Sequence, residues 1–225
     1  PATPPAPATT TAPLTPAGPV LPDPATVQRA LNVRPRPTWT TVLGQPVLTA
    51  PQLAAWFRGQ GKRERTPVSV ERLARMFIDE GRAQNVRGDI AFVQSVLETG
   101  WFAYEGSMVG PRDNNFSGLG ACDACRNGNR FPSALAGVRA QIQHLAAYAD
   151  PYADRNLARP LADARFAKVS PLGKAPYWEM MGSGNWATTR GYGRMVLGLW
   201  REALAFNGLT PPAPATPPAA AAARG

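Results

Sequence analysis

Prolines crowd the two ends of this chain, and their distribution decides where a packed core can form. There are 25 prolines in 225 residues, and a proline inside a helix or a central strand removes a backbone donor and clashes with its neighbours. Residues 1–37 are mostly Pro, Ala and Thr, with too few large apolar side chains to offset the entropy of ordering. They read as a semi-extended linker, open to O-glycosylation at its threonines in a secreted protein, with one short helix opened by Asp23 and Pro24. Residues 210–225 read as a disordered Pro/Ala-rich tail. Residues 38–209 lie between, as a single domain that begins in earnest near Trp39. The hydrophobic content of 44% suffices for a substantial core in one domain.

Within that domain the apolar residues recur at helical spacing, which predicts a mainly α fold. Thr49 and Gln52 form a capping-box pair, after which Leu53, Trp56 and Phe57 face inward until Gly59 and Gly61 end the helix. A second helix starts at Ser69, carries Val70, Leu73, Ala74 and Phe77, and stops near Gly81. A third is capped by Asp89 and buries Ile90, Val93, Val96 and Leu97, with Glu98 beside that face. A fourth follows Ser133, with Leu135, Val138, Ile142, Leu145 and Ala149 in a repeating three-four pattern, and ends at Asp150-Pro151. The last runs from Gly191 to Phe206 with Tyr192, Met195, Val196, Leu199, Trp200, Ala203 and Leu204 as its buried stripe. Short helical pieces are expected at Leu161–Phe166 and Pro176–Met181. Residues 104–131, rich in Gly, Asn and Asp, are too long for an ordinary connection and read as a functional loop or small hairpin.

The net charge of +9 points to anionic partners. No basic run interleaved with aromatics, zinc-finger pattern or phosphate loop accompanies it, which speaks against nucleic acid. No stretch of about 20 apolar residues is present to span a membrane. The chain opens at Pro1 without a methionine, as a processed chain would. His144 is the only histidine, which speaks against a histidine-based metal site, a Ser-His-Asp triad and a Cys-His pair, and His144 reads as a packing or surface residue. No cofactor or metal is expected, and nothing in the sequence demands a second copy, so the expectation is a monomer.

Glu98 carries the chemistry. Gly100 accepts positive φ and ends the helix, leaving Glu98 in a last turn whose free carbonyls disfavour a carboxylate. Trp101, Phe102 and Tyr104 follow at once, and any of them folded over Glu98 would strip water from it. Both effects favour an acid that keeps its proton near neutral pH, the property a glycosidase general acid needs.

Four segments then carry a family resemblance: SVLETGWF around Glu98, DNNFSGLGACDAC at 113–125, GVRAQIQHLAAYAD at 137–150 and GNWATTRGYG at 184–193. In this order they resemble the glucosaminidase domain of glycoside hydrolase family 73, over residues 39–208. The resemblance implies a lysozyme-like, mainly helical fold and cleavage after N-acetylglucosamine in peptidoglycan, with Glu98 as general acid. It implies that Asn114, Asn115 and Phe116 shape the cleft floor, although Ser117 here precedes Gly118. The family's second glutamate, on a β-hairpin lobe, is missing; Asp123 between Cys122 and Cys125 is what the region offers. The family's late tyrosine is replaced by Trp186, while Tyr192 remains. The second catalytic role therefore falls to Asp123 or to the sugar's own acetamide group, with Asp113 and Glu105 as further carboxylates. Cys122 and Cys125 are expected to close a disulfide in an exported protein, and Trp101, Phe116, Trp178 and Trp186 could stack on sugar faces. Expected partners are peptidoglycan glycan strands and anionic wall polymers, outside the cell or in the wall. Two other readings remain open: a muramidase or lytic transglycosylase on the same fold, and a peptidoglycan-binding domain without activity.

Overall fold

The computed structural model describes residues 39–121 and 128–212, all within the unit Pro37–Gly225. Linker and tail boundaries, the helix expected after Asp23, and Cys122, Asp123 and Cys125 lie outside the described residues. Five α-helices are present among the described residues: α1 Ala50–Gly59, α2 Val70–Gln84, α3 Gly88–Glu98, α4 Ala134–Ala149 and α5 Tyr192–Phe206. The only β pairings described are two isolated bridges, Thr41 with Tyr177 and Leu43 with Val86. The domain is mainly α, as the spacing predicts.

Caps fix where the helices begin. Thr49 accepts from Gln52 N while Gln52 answers to Thr49 N at 2.9 Å, closing the capping box of α1. Ser69 and Ser133 cap α2 and α4 through the amides of Arg72 and Ala136. Helix α2 runs past the expected stop at Gly81 and ends on Asn85 in the left-handed region, φ 55°. Gly81 is instead buried where α2 meets the start of α3. A Cβ on Gly88 would lie 2.2 Å from the Phe77 carbonyl, so only glycine permits this approach.

Helix α3 is the axis of the domain and lies against α2, α4 and α5. Its residues from Gly88 to Val96 are all buried, so a carboxylate at its end is carried by a nearly immobile support. Asp89 does not cap it, contrary to the sequence expectation. The N-cap position belongs to Arg87, and Asp89 turns outward from its own helix. Its Oδ2 accepts from Val47 N (2.9 Å), Leu48 N (3.2 Å) and the Trp200 indole (2.9 Å). It thereby ties the start of α3 to the entry of α1 and to α5. Met195, expected inward on α5, is 51% exposed. The later helical pieces are 3-10 turns at Ala164–Lys168 and Trp178–Met180.

The chain leaves α3 by an unusual turn. Gly100, Trp101, Phe102 and Tyr104 have φ of 54°, 61°, 56° and 61°, and each non-glycine residue there costs on the order of 1–2 kcal/mol. Hydrogen bonds hold the turn: Trp101 N to Val96 O (2.7 Å), Tyr104 N to Thr99 O (2.9 Å) and Phe102 N to Thr99 Oγ1 (3.0 Å). Packing holds it as well, since Trp101 lies on Trp56 and Phe57, and Phe102 meets Phe57, Phe92 and Phe116. The reversal sends these aromatic side chains into the core and leaves the end of α3 open.

Candidate active site

A cleft of about 430 Å³ opens at the end of α3, lined by Glu98, Thr99 and Gly100, by Glu105–Met108, by Ser117, Gly118 and Ala121, and by Trp186 and Ala187. Three chain segments beyond α3 thus converge on one acid. Glu98 Oε1 accepts from the Trp186 indole at 3.0 Å and from the Tyr192 hydroxyl. Oε2 makes no hydrogen bond to the described residues.

Burial pushes the Glu98 carboxyl above the usual carboxylate range, and the bonds from Tyr192 and Trp186 pull it back only in part. The Tyr192 phenol is pushed well above its ordinary value by burial and by the neighbouring acid, so it stays a neutral donor. The water-excluding groups are therefore Trp186 and Tyr192, not the aromatics that follow Glu98 in sequence. Trp101 packs on α1 and does not line the cleft. Tyr104 is buried with its hydroxyl aimed at the Asn115 carbonyl.

The paired asparagines build the loop that forms the facing wall. Asn115, 0% exposed, donates to the carbonyls of Leu119 (2.8 Å) and Asn129 (2.9 Å) and accepts from the amides of Ser117 (3.3 Å) and Leu119 (3.1 Å). Asn114 takes a left-handed conformation and donates to Phe131 O at 3.0 Å. Phe116 is buried between Phe77 and Phe102. None of the three lines the cleft; they present Ser117 and Gly118 to it. Trp178 is fully buried.

Of the remaining carboxylates, Glu105 is exposed on the cleft wall. Asp113 is committed elsewhere, paired with Arg130 at 2.9 Å and accepting from Gly110 N at 2.8 Å. His144 is buried against Asp163, Nε2 to Oδ2 at 3.0 Å, away from the cleft. Burial lowers its basicity more than Asp163 restores it.

A family model described as mannosyl-glycoprotein endo-beta-N-acetylglucosaminidase matches residues 74–204, from within α2 almost to the end of α5. The chain belongs to the glucosaminidase family. Its helical domain is the lysozyme-like kind that the sequence segments imply. A protein of Borreliella burgdorferi that bears the name "Uncharacterized protein" is 35% identical over 138 residues, which are 61% of this chain. The matched stretch spans 65% of that relative's length. No solved structure matches the chain.

Sequence reasoning about this glucosaminidase domain missed two residues behind the acid, Gln94 and Gln141. Both are 0% exposed and connect to Glu98 through Tyr192. A glutamine at an inward position on each of two predicted helices was the available signal, because a buried amide must find partners.

Proposed function

We propose that this protein is a peptidoglycan hydrolase that cuts the bond after N-acetylglucosamine in glycan strands, with Glu98 as the general acid. The observation that carries the reading is a desolvated carboxyl, raised toward neutrality by burial, on the wall of a cleft in a glucosaminidase-family domain. Protonated Glu98 gives its proton to the glycosidic oxygen as the bond to C1 breaks. The charge left on the carboxylate is met at Oε1 by the Trp186 and Tyr192 donors, which stand in place beforehand and need no reorganisation. Of the two, Trp186 also lies on the cleft wall, where a sugar ring can rest against it.

Glu105 is the other carboxylate on the cleft among the described residues, and we assign it the activation of the attacking water. Glu105→Gln tests this: a fall of 100-fold or more, on the order expected of a general base, supports Glu105, and a rate within about twofold of wild type, well outside that range, returns the role to Asp123 or to the substrate's acetamide.

Basic side chains on the surface suit an anionic matrix. Arg65, Arg112 and Arg130 surround one depression of about 480 Å³, and Lys62 and Arg63 lie on another of about 660 Å³. Such a surface favours wall polymers bearing phosphate or carboxylate, and with the substrate it supports action outside the cell or in the wall.

Digestion of purified peptidoglycan, with mass spectrometry of the products, tests the function. Reducing-end N-acetylglucosamine from the wild type, and none from Glu98→Gln, is the expected result. Reducing-end N-acetylmuramic acid or an anhydro product would move the assignment to a muramidase or lytic transglycosylase. Unchanged release by Glu98→Gln would remove Glu98 from the mechanism.

A further inference from the structure

Behind Glu98, where α3, α4 and α5 come together, a file of polar side chains crosses an otherwise apolar core. Ser95, Gln94 and Gln141 are 0% exposed and Tyr192 is 6% exposed. Buried amides are tolerated only when their hydrogen bonds are made, and here they are made in sequence. Gln141 Nε2 donates to Ala91 O at 3.1 Å and to Gln94 Oε1 at 2.9 Å. Gln141 Oε1 accepts from Ser95 Oγ at 3.0 Å. Gln94 Nε2 donates to the Tyr192 hydroxyl at 2.9 Å, and that hydroxyl meets Glu98 Oε1.

The direction of this file is fixed by one backbone atom. The Ala91 carbonyl can only accept, so the nitrogen of Gln141 must face it, because a flipped amide would set oxygen against oxygen. The second N–H of Gln141 then goes to the oxygen of Gln94, which turns the nitrogen of Gln94 toward Tyr192. A hydroxyl has one proton. Gln94 presents a nitrogen that cannot take that proton, and Glu98 Oε1 is the acceptor set against the hydroxyl among the described residues, so the proton goes to Glu98. The Trp186 indole is a donor only, so Oε1 of Glu98 faces two donors, and a proton of its own would have to displace one of them.

We infer that Gln94 and Gln141 are positioning residues, which hold the Tyr192 hydroxyl as a permanent donor to Oε1 of Glu98 and so reserve Oε2 as the oxygen that carries and delivers the catalytic proton. The catalytic part of this inference rests on the reading of Glu98 as the acid. In the step itself the O–H bond at Oε2 breaks, a new O–H bond forms on the leaving sugar oxygen, and the C1–O bond opens. The electron pair left on the carboxylate spreads to Oε1, where both donors already stand. The described groups that face Glu98 are Tyr192 from α5, Trp186 from the segment before it, and the exposed Glu105 across the cleft. Neither glutamine brings a charge, so their influence passes through Tyr192.

Gln94→Met, Gln141→Met, Tyr192→Phe and the double variant Gln94→Met/Tyr192→Phe test this. The Glu98 carboxyl is followed by carbon-13 NMR titration, beside kcat and KM on peptidoglycan. Freed from Gln94, the hydroxyl no longer points at Oε1 alone. Gln94→Met should therefore shift the Glu98 titration upward, as Tyr192→Phe does, and lower kcat roughly tenfold with KM unchanged, about the loss of one hydrogen bond to a charged group. Gln141→Met should act in the same direction but more weakly, and it serves if Gln94→Met does not fold. The double variant should fall no further than Tyr192→Phe alone. An unmoved titration in both glutamine variants, or losses that add in the double variant, would overturn the inference and leave the file a structural filling. The NMR titration needs no turnover, so it judges the file even if Glu98→Gln were to overturn the proposed function.

Discussion

Asp89 offers a quantitative test of how the acid-bearing helix is held. Its Oδ2 accepts from Val47 N, Leu48 N and the Trp200 indole, while Oδ1 is buried without a partner. Asp89→Ala leaves three donors without an acceptor, two of them in fully buried pairs, at roughly 1–3 kcal/mol for each buried orphan. The expected loss is about 4 kcal/mol, a large share of the roughly 5–15 kcal/mol that holds a domain together. Asp89→Asn keeps an oxygen for the donors and should lose about 1–2 kcal/mol. The pH dependence separates charge from geometry. Burial is the largest influence on Asp89 and outweighs its three donors, so its carboxyl lies above the usual range when folded. The folded state therefore holds the proton more tightly than the unfolded state. The stability this contributes is full below the ordinary carboxylate value and is lost as pH rises through the folded one. Glu98 contributes in the same sense. Urea unfolding of wild type, Asp89→Asn and Asp89→Ala at several pH values from 4 to 8 reads both effects. Asp89→Asn should flatten the decline of stability with rising pH. A loss below about 1 kcal/mol for Asp89→Ala, less than a single buried orphan, or an unchanged pH slope in Asp89→Asn, would refute the account of a desolvated anchor.

Trp186→Phe keeps the aromatic wall but removes a donor from Glu98 Oε1. The basic limb of the pH–rate profile should move up and kcat should fall several-fold, about one hydrogen bond to charge, as followed by product release across pH. Gly137→Ala would place a Cβ 1.7 Å from the Asn114 carbonyl. It should cost about 3 kcal/mol by overpacking, seen as a lower urea midpoint, with loss of activity because Asn114 begins the cleft's facing loop. Below the ordinary histidine value the buried, neutral His144 resists protonation, so its contribution to stability is lost as pH falls. His144→Gln should reduce that acid-side loss in thermal melts between pH 7 and 5. Binding to purified walls, measured by pelleting, should weaken steadily from low to high salt if Arg65, Arg112 and their neighbours meet an anionic polymer.

The helices were legible because each carries a local signature. Thr49, Ser69 and Ser133 cap the helices they precede, and the apolar stripes of Leu53 to Phe57 and Val70 to Phe77 are buried as their spacing requires. The place of Glu98 at the end of its helix was legible for the same reason. What surrounds Glu98 was not. Proximity along the chain suggested Trp101, Phe102 and Tyr104, but three left-handed aromatic residues turn those rings into the core, a conformation that propensity disfavours and only packing sustains. The groups that touch the acid, Trp186 and Tyr192, stand 88 and 94 residues away.

The sequence by itself determined a mainly α domain between proline-rich ends, the helix that ends on Glu98, and the segments that mark the glucosaminidase family. Those properties reside in periods and caps a few residues long, so the chain displays them before it folds. Tertiary structure alone decided that Asp89 anchors rather than caps, that Asn115 staples the wall loop, and which oxygen of Glu98 faces two donors. Each depends on donors and acceptors brought together from distant segments, and the direction of a hydrogen bond exists only once both partners are in place.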